Sequence, residues 1–174
     1  TEEHLLHFDI LTDSIEDLIS SWNTERKTAV FCIAQPNIDY CKKEFENARQ
    51  INVVMTKKVI HSLVRQNFYV IFFSTDNVFD GLKGAYTETD QQNAINQYGR
   101  MKQEMEQYLV NMYPQVCILR LPRVIGTEVE RQNLLTDYDC KKTGEKIRCI
   151  KDTRISIVAK EDVYQACLIA SEKR

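Results

Sequence analysis

Short apolar runs alternate with longer amphipathic stretches along this chain, the pattern of strand–helix–strand units assembled on a parallel sheet. Three runs read as buried strands: Ala29–Ile33, Phe68–Phe73 (Phe-Tyr-Val-Ile-Phe-Phe) and Val116–Leu121 (Val-Cys-Ile-Leu-Arg-Leu). A short strand ends within residues 4–8. Asp9-Ile10-Leu-Thr-Asp13 then leads into a helix over about 14–22, with Ser14 or Asp13 as its N-cap. Residues 42–66 form one long helix or two abutting ones, with apolar positions at Ile51, Val54, Met55, Val59, Ile60 and Leu63. The stretch from Asn77 to Asn96 is a polar loop containing Gly81 and Gly84. A helix follows over about 96–113 and Pro114 closes it. Beyond Gly126 the periodicity weakens; residues 145–158 hold one or two short strands and 161–171 a helix.

Composition and charge narrow the classes. Hydrophobic residues at 43% and charged residues at 28% describe an ordinary globular domain, and 174 residues suffice for a substantial core. A net charge of -2, with Lys42-Lys43, Lys57-Lys58 and Lys141-Lys142 set among acids, argues against a nucleic-acid partner. No apolar stretch approaches 18 residues, and Thr-Glu-Glu-His at the start lacks signal-peptide character. The expectation is a cytoplasmic protein with no membrane association. None of the six cysteines lies in a C-x-x-C pair, and Cys32 and Cys117 fall inside apolar strands, so free thiols are expected. His4, His7 and His61 have no metal-ligand spacing, and no metal is expected. Trp22, Phe68, Tyr69, Phe72 and Phe73 read as core, and Glu104 and Glu106 as a solvated helix face.

The chemistry concentrates in residues 72–102. An apolar strand delivers Ser74 and Thr75, and 23 residues after Thr75 a phenol and an ammonium, Tyr98 and Lys102, stand four apart on a helix. That spacing sets them on one face about a turn apart. A cation beside a phenol favours the phenolate, so Tyr98 is expected to be acidified from its ordinary value of about 10. Hydroxyl, acidified phenol and lysine together suit carbonyl reduction or its reverse. Asp76 and Asp80 read as loop organisers. Arg120 and Arg123 lie at or beyond a strand's carboxyl end, where one of them meeting a nucleotide phosphate is expected.

Ser74-Thr75-Asp76-Asn-Val-Phe79-Asp80-Gly81, Tyr86-Thr-Glu-Thr-Asp90 and Ile95-Asn-Gln-Tyr98-Gly-Arg-Met-Lys102-Gln-Glu resemble the extended short-chain dehydrogenase/reductases, and among them the dTDP-4-dehydrorhamnose reductases. Asp9-Ile10, Ala34-Gln35, Asp39-Tyr-Cys41 ahead of Glu44 and Ala48, Asn52-Val53 and Leu121-Pro-Arg123-Val-Ile-Gly126 add to the likeness. It runs from about residue 8 to 126 and more loosely to 171. The resemblance implies an α/β, Rossmann-like doubly wound parallel sheet over residues 1–126, with 127–174 as part of a small substrate-binding region. It implies NADPH- or NADH-dependent reduction of a 4-keto-6-deoxy nucleotide sugar. Tyr98 would protonate the carbonyl oxygen, Lys102 would hold the nicotinamide ribose, and Thr75 would orient the substrate carbonyl. Asp9 and Ile10 would sit near adenine, Ala34 and Gln35 would line the cofactor, and Arg123 would lie near nicotinamide or substrate. Asn52 reads either as an exposed polar residue or, by the likeness, as a buried hydrogen-bonding group. A homodimer is compatible with the resemblance.

One departure matters. Members of this family open on a Gly-rich turn that cradles pyrophosphate, whereas the first glycine here is Gly81. The first βαβ unit is therefore expected to be missing. A fragment, a loop supplied by another polypeptide and a degenerate family member all fit that pattern. A non-catalytic regulatory or scaffold subunit on the same fold is the rival from another class. The regulatory subunit of methionine adenosyltransferase is similar to these reductases and acts by binding a partner enzyme. An epimerase or dehydratase is a second enzymatic rival, which Asp76-Asn77 suits less well.

Overall fold

The computed structural model describes residues 6–20, 22, 27–113, 115–126 and 155–173. Three parallel strands form the main sheet in the order β1 (Thr28–Phe31), β2 (Tyr69–Thr75), β3 (Cys117–Leu121). Phe31 pairs with Phe72, and Thr75 with Leu121, so all three strands deliver their carboxyl ends to one edge of the molecule. The second sheet is a parallel pair, β4 (Arg123–Ile125) and β5 (Ile157–Ala159).

Alternation along β2 explains the layers. Val70 and Phe72 face one way, into the core that contains Ile60, Leu63, Met105 and Leu109. Ile71 and Phe73 face the other way, toward Val163 and Cys167. With both faces covered, β2 reads as a continuous apolar run rather than an alternating one. Two helical layers supply the cover. On one side stand α1 (Ile15–Ile19), α2 (Ile38–Lys43), α3 (Phe45–Arg49), α4 (Thr56–Arg65) and α5 (Gln97–Met112). On the other lies α6 (Lys160–Glu172). This is the expected doubly wound α/β arrangement.

Local chemistry sets the element ends. Ser14 Oγ accepts from the Asp17 amide (3.3 Å) to start α1, and Asn37 Oδ1 accepts from the Tyr40 amide (2.8 Å) to start α2. The long helix expected over 42–66 breaks at Glu44. From Phe45 it runs on to Arg65 through a π-helical stretch, Gln50–Met55. The wider turn shifts the helical phase, so Val53 is buried where Val54 was expected, and Asn52 turns inward.

Several expectations require correction. Residues 6–8 form no strand. Trp22 is 42% exposed, lying against Phe68 at the surface rather than in the core. Cys32 falls just past the end of β1 and is exposed, because the strand stops at Phe31. Glu106 is buried at 3% exposure, since it shares the inward face of α5 with Lys102. The strands expected over 145–158 lie almost wholly outside the described residues, apart from the start of β5, and so does most of the proposed 127–174 region. Among the described residues no helix is long and apolar enough to cross a membrane.

Candidate active site

The strand edge shared by β2 and β3 meets the N-terminal half of α5, and three of the expected residues gather there. β2 ends at Thr75, whose Oγ1 accepts from the Asn77 amide (3.2 Å) and caps the short turn Asp76–Val78. Asn96 starts α5 by accepting from the Gly99 amide (2.8 Å). Asn77 ties the two together: its Nδ2 donates to Thr75 Oγ1 (3.0 Å) and its Oδ1 accepts from Asn96 Nδ2 (2.9 Å). Gly99 lets the backbones meet, because a Cβ there would stand 2.1 Å from the Asn77 carbonyl oxygen. Thr75 and the first turn of α5, which carries Tyr98, are thus linked through one asparagine.

Tyr98, Lys102 and Glu106 recur every four residues along α5. Lys102 is 3% exposed; its Nζ donates to the Phe73 carbonyl (2.7 Å) and lies 4.4 Å from the centre of the Phe72 ring. The same ammonium stands 5.9 Å from the Tyr98 ring centre, a cation–π distance. Burial pushes Lys102 down to about 8, opposed by the negative charge of Cys32 and Glu106 when ionised.

The acidified phenol expected from the four-residue spacing is overturned. Burial, reinforced by the charges of Cys41 and Asp76, pushes Tyr98 up to about 12. Spacing alone predicts attraction between lysine and phenolate, but loss of water around the ring outweighs it, and the ammonium is held by Phe73. At neutral pH Tyr98 is therefore a phenol that carries its proton and Lys102 is mainly cationic.

Asn52 takes the buried alternative. At 2% exposure, its Oδ1 accepts from the Gln35 amide (2.7 Å) and its Nδ2 donates to the Gln35 carbonyl (3.0 Å). The π-helical stretch places this amide directly behind the segment following β1. Cys41 Sγ also donates to the Gln35 carbonyl (3.3 Å), so the Gln35 backbone, next to Ala34, is held by two side chains from behind.

The remaining expected residues are not gathered with these. Asp9 is exposed and its Oδ1 accepts from the Leu11 amide (2.9 Å), organising a turn. Ile10 is buried in the core, with its side chain committed to packing. Arg123 lies exposed on β4. Arg120 is spent inside the protein: its guanidinium grips Glu106, with Nη2 2.7 Å from Oε2, so the expectation that it meets a phosphate does not suit its engaged donors.

The sequence reading missed Asn77, Asn96, Gly99 and the inward role of Glu106. A signal existed for three of the four. Asn two residues before Tyr98 is a helix-cap residue, Gly in a first turn sacrifices propensity, and Glu106 repeats the four-residue step of Tyr98 and Lys102.

A parallel sheet with helices on both faces, its strand edge carrying Thr75 and an adjoining helix face carrying Tyr98 and Lys102, defines a Rossmann-like α/β domain by class. Residues 10–171 match the family model of the RmlD substrate binding domain, and the chain belongs to that family. It is 31% identical to methionine adenosyltransferase 2 subunit beta of Danio rerio over 121 residues, 68% of this chain and 35% of that protein. It is 34% identical to the dTDP-4-dehydrorhamnose reductase of Aggregatibacter actinomycetemcomitans over 94 residues, 53% of this chain and 32% of that protein. The chain thus spans about a third of the length of these curated relatives. Among solved structures, a hypothetical dTDP-4-dehydrorhamnose reductase from Sulfolobus tokodaii superposes with a TM-score of 0.81 at 24% identity, covering 99% of this chain and 62% of that one. That superposition shows the shared fold.

Proposed function

We propose that this chain carries the reacting centre of an NAD(P)H-dependent reductase acting on a 4-keto-6-deoxy nucleotide sugar. One observation carries the reading: the Asn77 bridge that joins the Thr75 hydroxyl to the turn of α5 bearing Tyr98, with Lys102 buried one turn on. Family membership and the reductase relatives support it.

The residues fit the nicotinamide-ribose end of a dinucleotide. Lys102 is a buried cation beside a phenol at the carboxyl edge of a parallel sheet, and Gln35 holds backbone groups at the same edge. When bound, a reduced nicotinamide supplies hydride to the carbonyl carbon. Tyr98, protonated throughout the neutral range, donates its proton to the carbonyl oxygen as negative charge develops there. Thr75 Oγ1 hydrogen-bonds that same oxygen, exchanging its present bond to Asp76 Oδ1 (3.2 Å) for one to substrate. Lys102, its ammonium 5.9 Å from the Tyr98 ring centre, keeps a cation beside the phenol that gives up its proton.

The test is turnover of a dTDP-4-keto-6-deoxy sugar with NADPH or NADH, compared with Tyr98→Phe. Loss of at least about 1,000-fold in rate with unchanged circular dichroism is expected for a general acid. Near-normal rates in the Phe variant would remove Tyr98 from the chemistry.

A second reading is a non-catalytic subunit. Lys102 donating to Phe73 rather than approaching the phenol oxygen favours it, as does the likeness to a methionine adenosyltransferase subunit. A dinucleotide titration separates the two. Saturable binding of NADPH or NADH supports the reductase, and indifference to both supports the subunit.

A further inference from the structure

Glu106 stands one helical turn beyond Lys102 on the inward face of α5, yet nothing in the proposed chemistry uses it. Its buried carboxylate accepts from Ser74 Oγ, from Gln92 Nε2 and from Arg120, whose Nε lies 3.1 Å and 3.0 Å from the two oxygens. Arg120 then reaches outward. Its Nη1 donates to the Glu88 carbonyl (3.0 Å), and its guanidinium sits 5.2 Å from the centre of the Phe79 ring. Phe79 stacks on Tyr86 with centroids 4.3 Å apart and planes within 10°. Tyr86 in turn donates to Asp80, which also accepts from the Leu82 amide (3.0 Å) and from Asn93 Nδ2 (2.9 Å).

One carboxylate therefore joins four stretches of chain. These are the end of β2 at the residue before Thr75, β3 at Arg120, the loop 79–93, and the face of α5 that holds Tyr98 and Lys102. Packing alone gives no reason for this arrangement, because withdrawing a carboxylate and a guanidinium from water is costly and an apolar pair fills such a site more cheaply. The ionic joint offers direction instead: a planar fork meeting a carboxylate fixes the loop's approach angle as a hydrophobic contact does not.

We infer that Glu106, charge-balanced by Arg120, is a positioning residue that holds the loop 79–93 over the Thr75–Tyr98 centre, so that the loop forms one wall of the substrate site. Glu106 touches no reacting atom. The inference rests on the reading of that centre given under Proposed function.

The test compares the unaltered chain with Glu106→Gln, which keeps the shape and removes the charge, and with Arg120→Lys, which keeps the charge and removes the fork. Amide hydrogen exchange is measured across the chain, together with kcat and KM for the keto sugar and for NADPH. In Glu106→Gln, exchange through 79–93 quickens about tenfold or more while β1 and α4 keep their rates. The same variant loses about 100-fold in kcat for the keto sugar with the KM for NADPH unchanged. Arg120→Lys falls between, and it decides the matter should Glu106→Gln not fold. Unchanged exchange in 79–93, or exchange that quickens evenly over the whole sheet, overturns the inference. An unaltered chain that reduces no keto sugar sinks the reading of the centre instead, while the exchange arm still decides the joint.

Discussion

The two ends of the candidate site are built differently. Around Thr75 and Lys102, side chains bond to neighbouring side chains and backbone: Thr75 to Asn77, Asn77 to Asn96, and Lys102 to the Phe73 carbonyl. Along Ala34-Gln35 the protein offers main chain, fixed from behind by Asn52, while Asp9 and Arg123 stand at the surface. In the function proposed above the first end places a proton donor, a task sensitive to tenths of an ångström. The second presents a ledge of peptide groups, which suits a broad ligand held by many weak contacts. Substitutions at the first end should therefore remove turnover, and those at the second should weaken binding.

After Tyr98→Phe itself, the largest expected effect tests the tight end at Gly99. In Gly99→Ala the new methyl stands 2.1 Å from the Asn77 oxygen and 2.9 Å from its carbonyl carbon, both backbone atoms that cannot swing aside. The α5 terminus must shift, costing about 1–3 kcal/mol in stability by urea unfolding. Turnover should fall about 100-fold, because the shift separates Tyr98 from Thr75. Full activity in this variant would mean that the close approach has no bearing on the centre.

Asn52→Leu tests the ledge. Removing the amide leaves the Gln35 N–H without its partner and its C=O with Cys41 Sγ alone, a loss of about 1–3 kcal/mol. Binding of a dinucleotide should weaken more than kcat falls, which calorimetry and steady-state rates resolve. An equal loss in both would show the two ends to be one unit.

The tight end was the more legible of the two. Tyr98 and Lys102 share a face because helix geometry is periodic, and Thr75 ends an unmistakable strand, but it was the resemblance to the reductase family that singled out these three among many such residues. Asn52 could not be resolved the same way. Its inward turn depends on a π-helical stretch that no local propensity marks, and the same stretch moved burial from Val54 to Val53. Glu106 was misread for a related reason: charge argues for solvent until Arg120, 14 residues on, is brought alongside it by the fold. The direction of the Tyr98 shift failed because a sequence shows neighbours and hides desolvation.

Lys102→Met separates stability from function at the tight end. Burial depresses Lys102 in the folded protein to about 8, so the unfolded chain binds its proton more strongly between that value and 10.5. Stability from this group should rise as pH climbs through that window, and Tyr98, raised to about 12, should reverse the trend above pH 10. Methionine removes the buried charge, so the variant should gain on the order of 1–2 kcal/mol at pH 7 and lose the rise between pH 8 and 10.5. Urea midpoints across pH check both. A variant less stable at pH 7 would show that the bond to Phe73 outweighs the burial.

The smallest effect expected is at Asp9. Its carboxylate accepts from the Leu11 amide in an exposed turn, so Asp9→Ala should cost under about 1 kcal/mol and leave kcat alone. The informative quantity is dinucleotide affinity. If Asp9 acts only within its turn, affinity stays within about threefold, a change smaller than one hydrogen bond's worth. A loss of tenfold or more would place the carboxylate against the ligand's adenosine half, extending the ledge from Gln35 to Asp9. It would also make that end a site of specific side-chain recognition, as the proposed function makes the Tyr98 end.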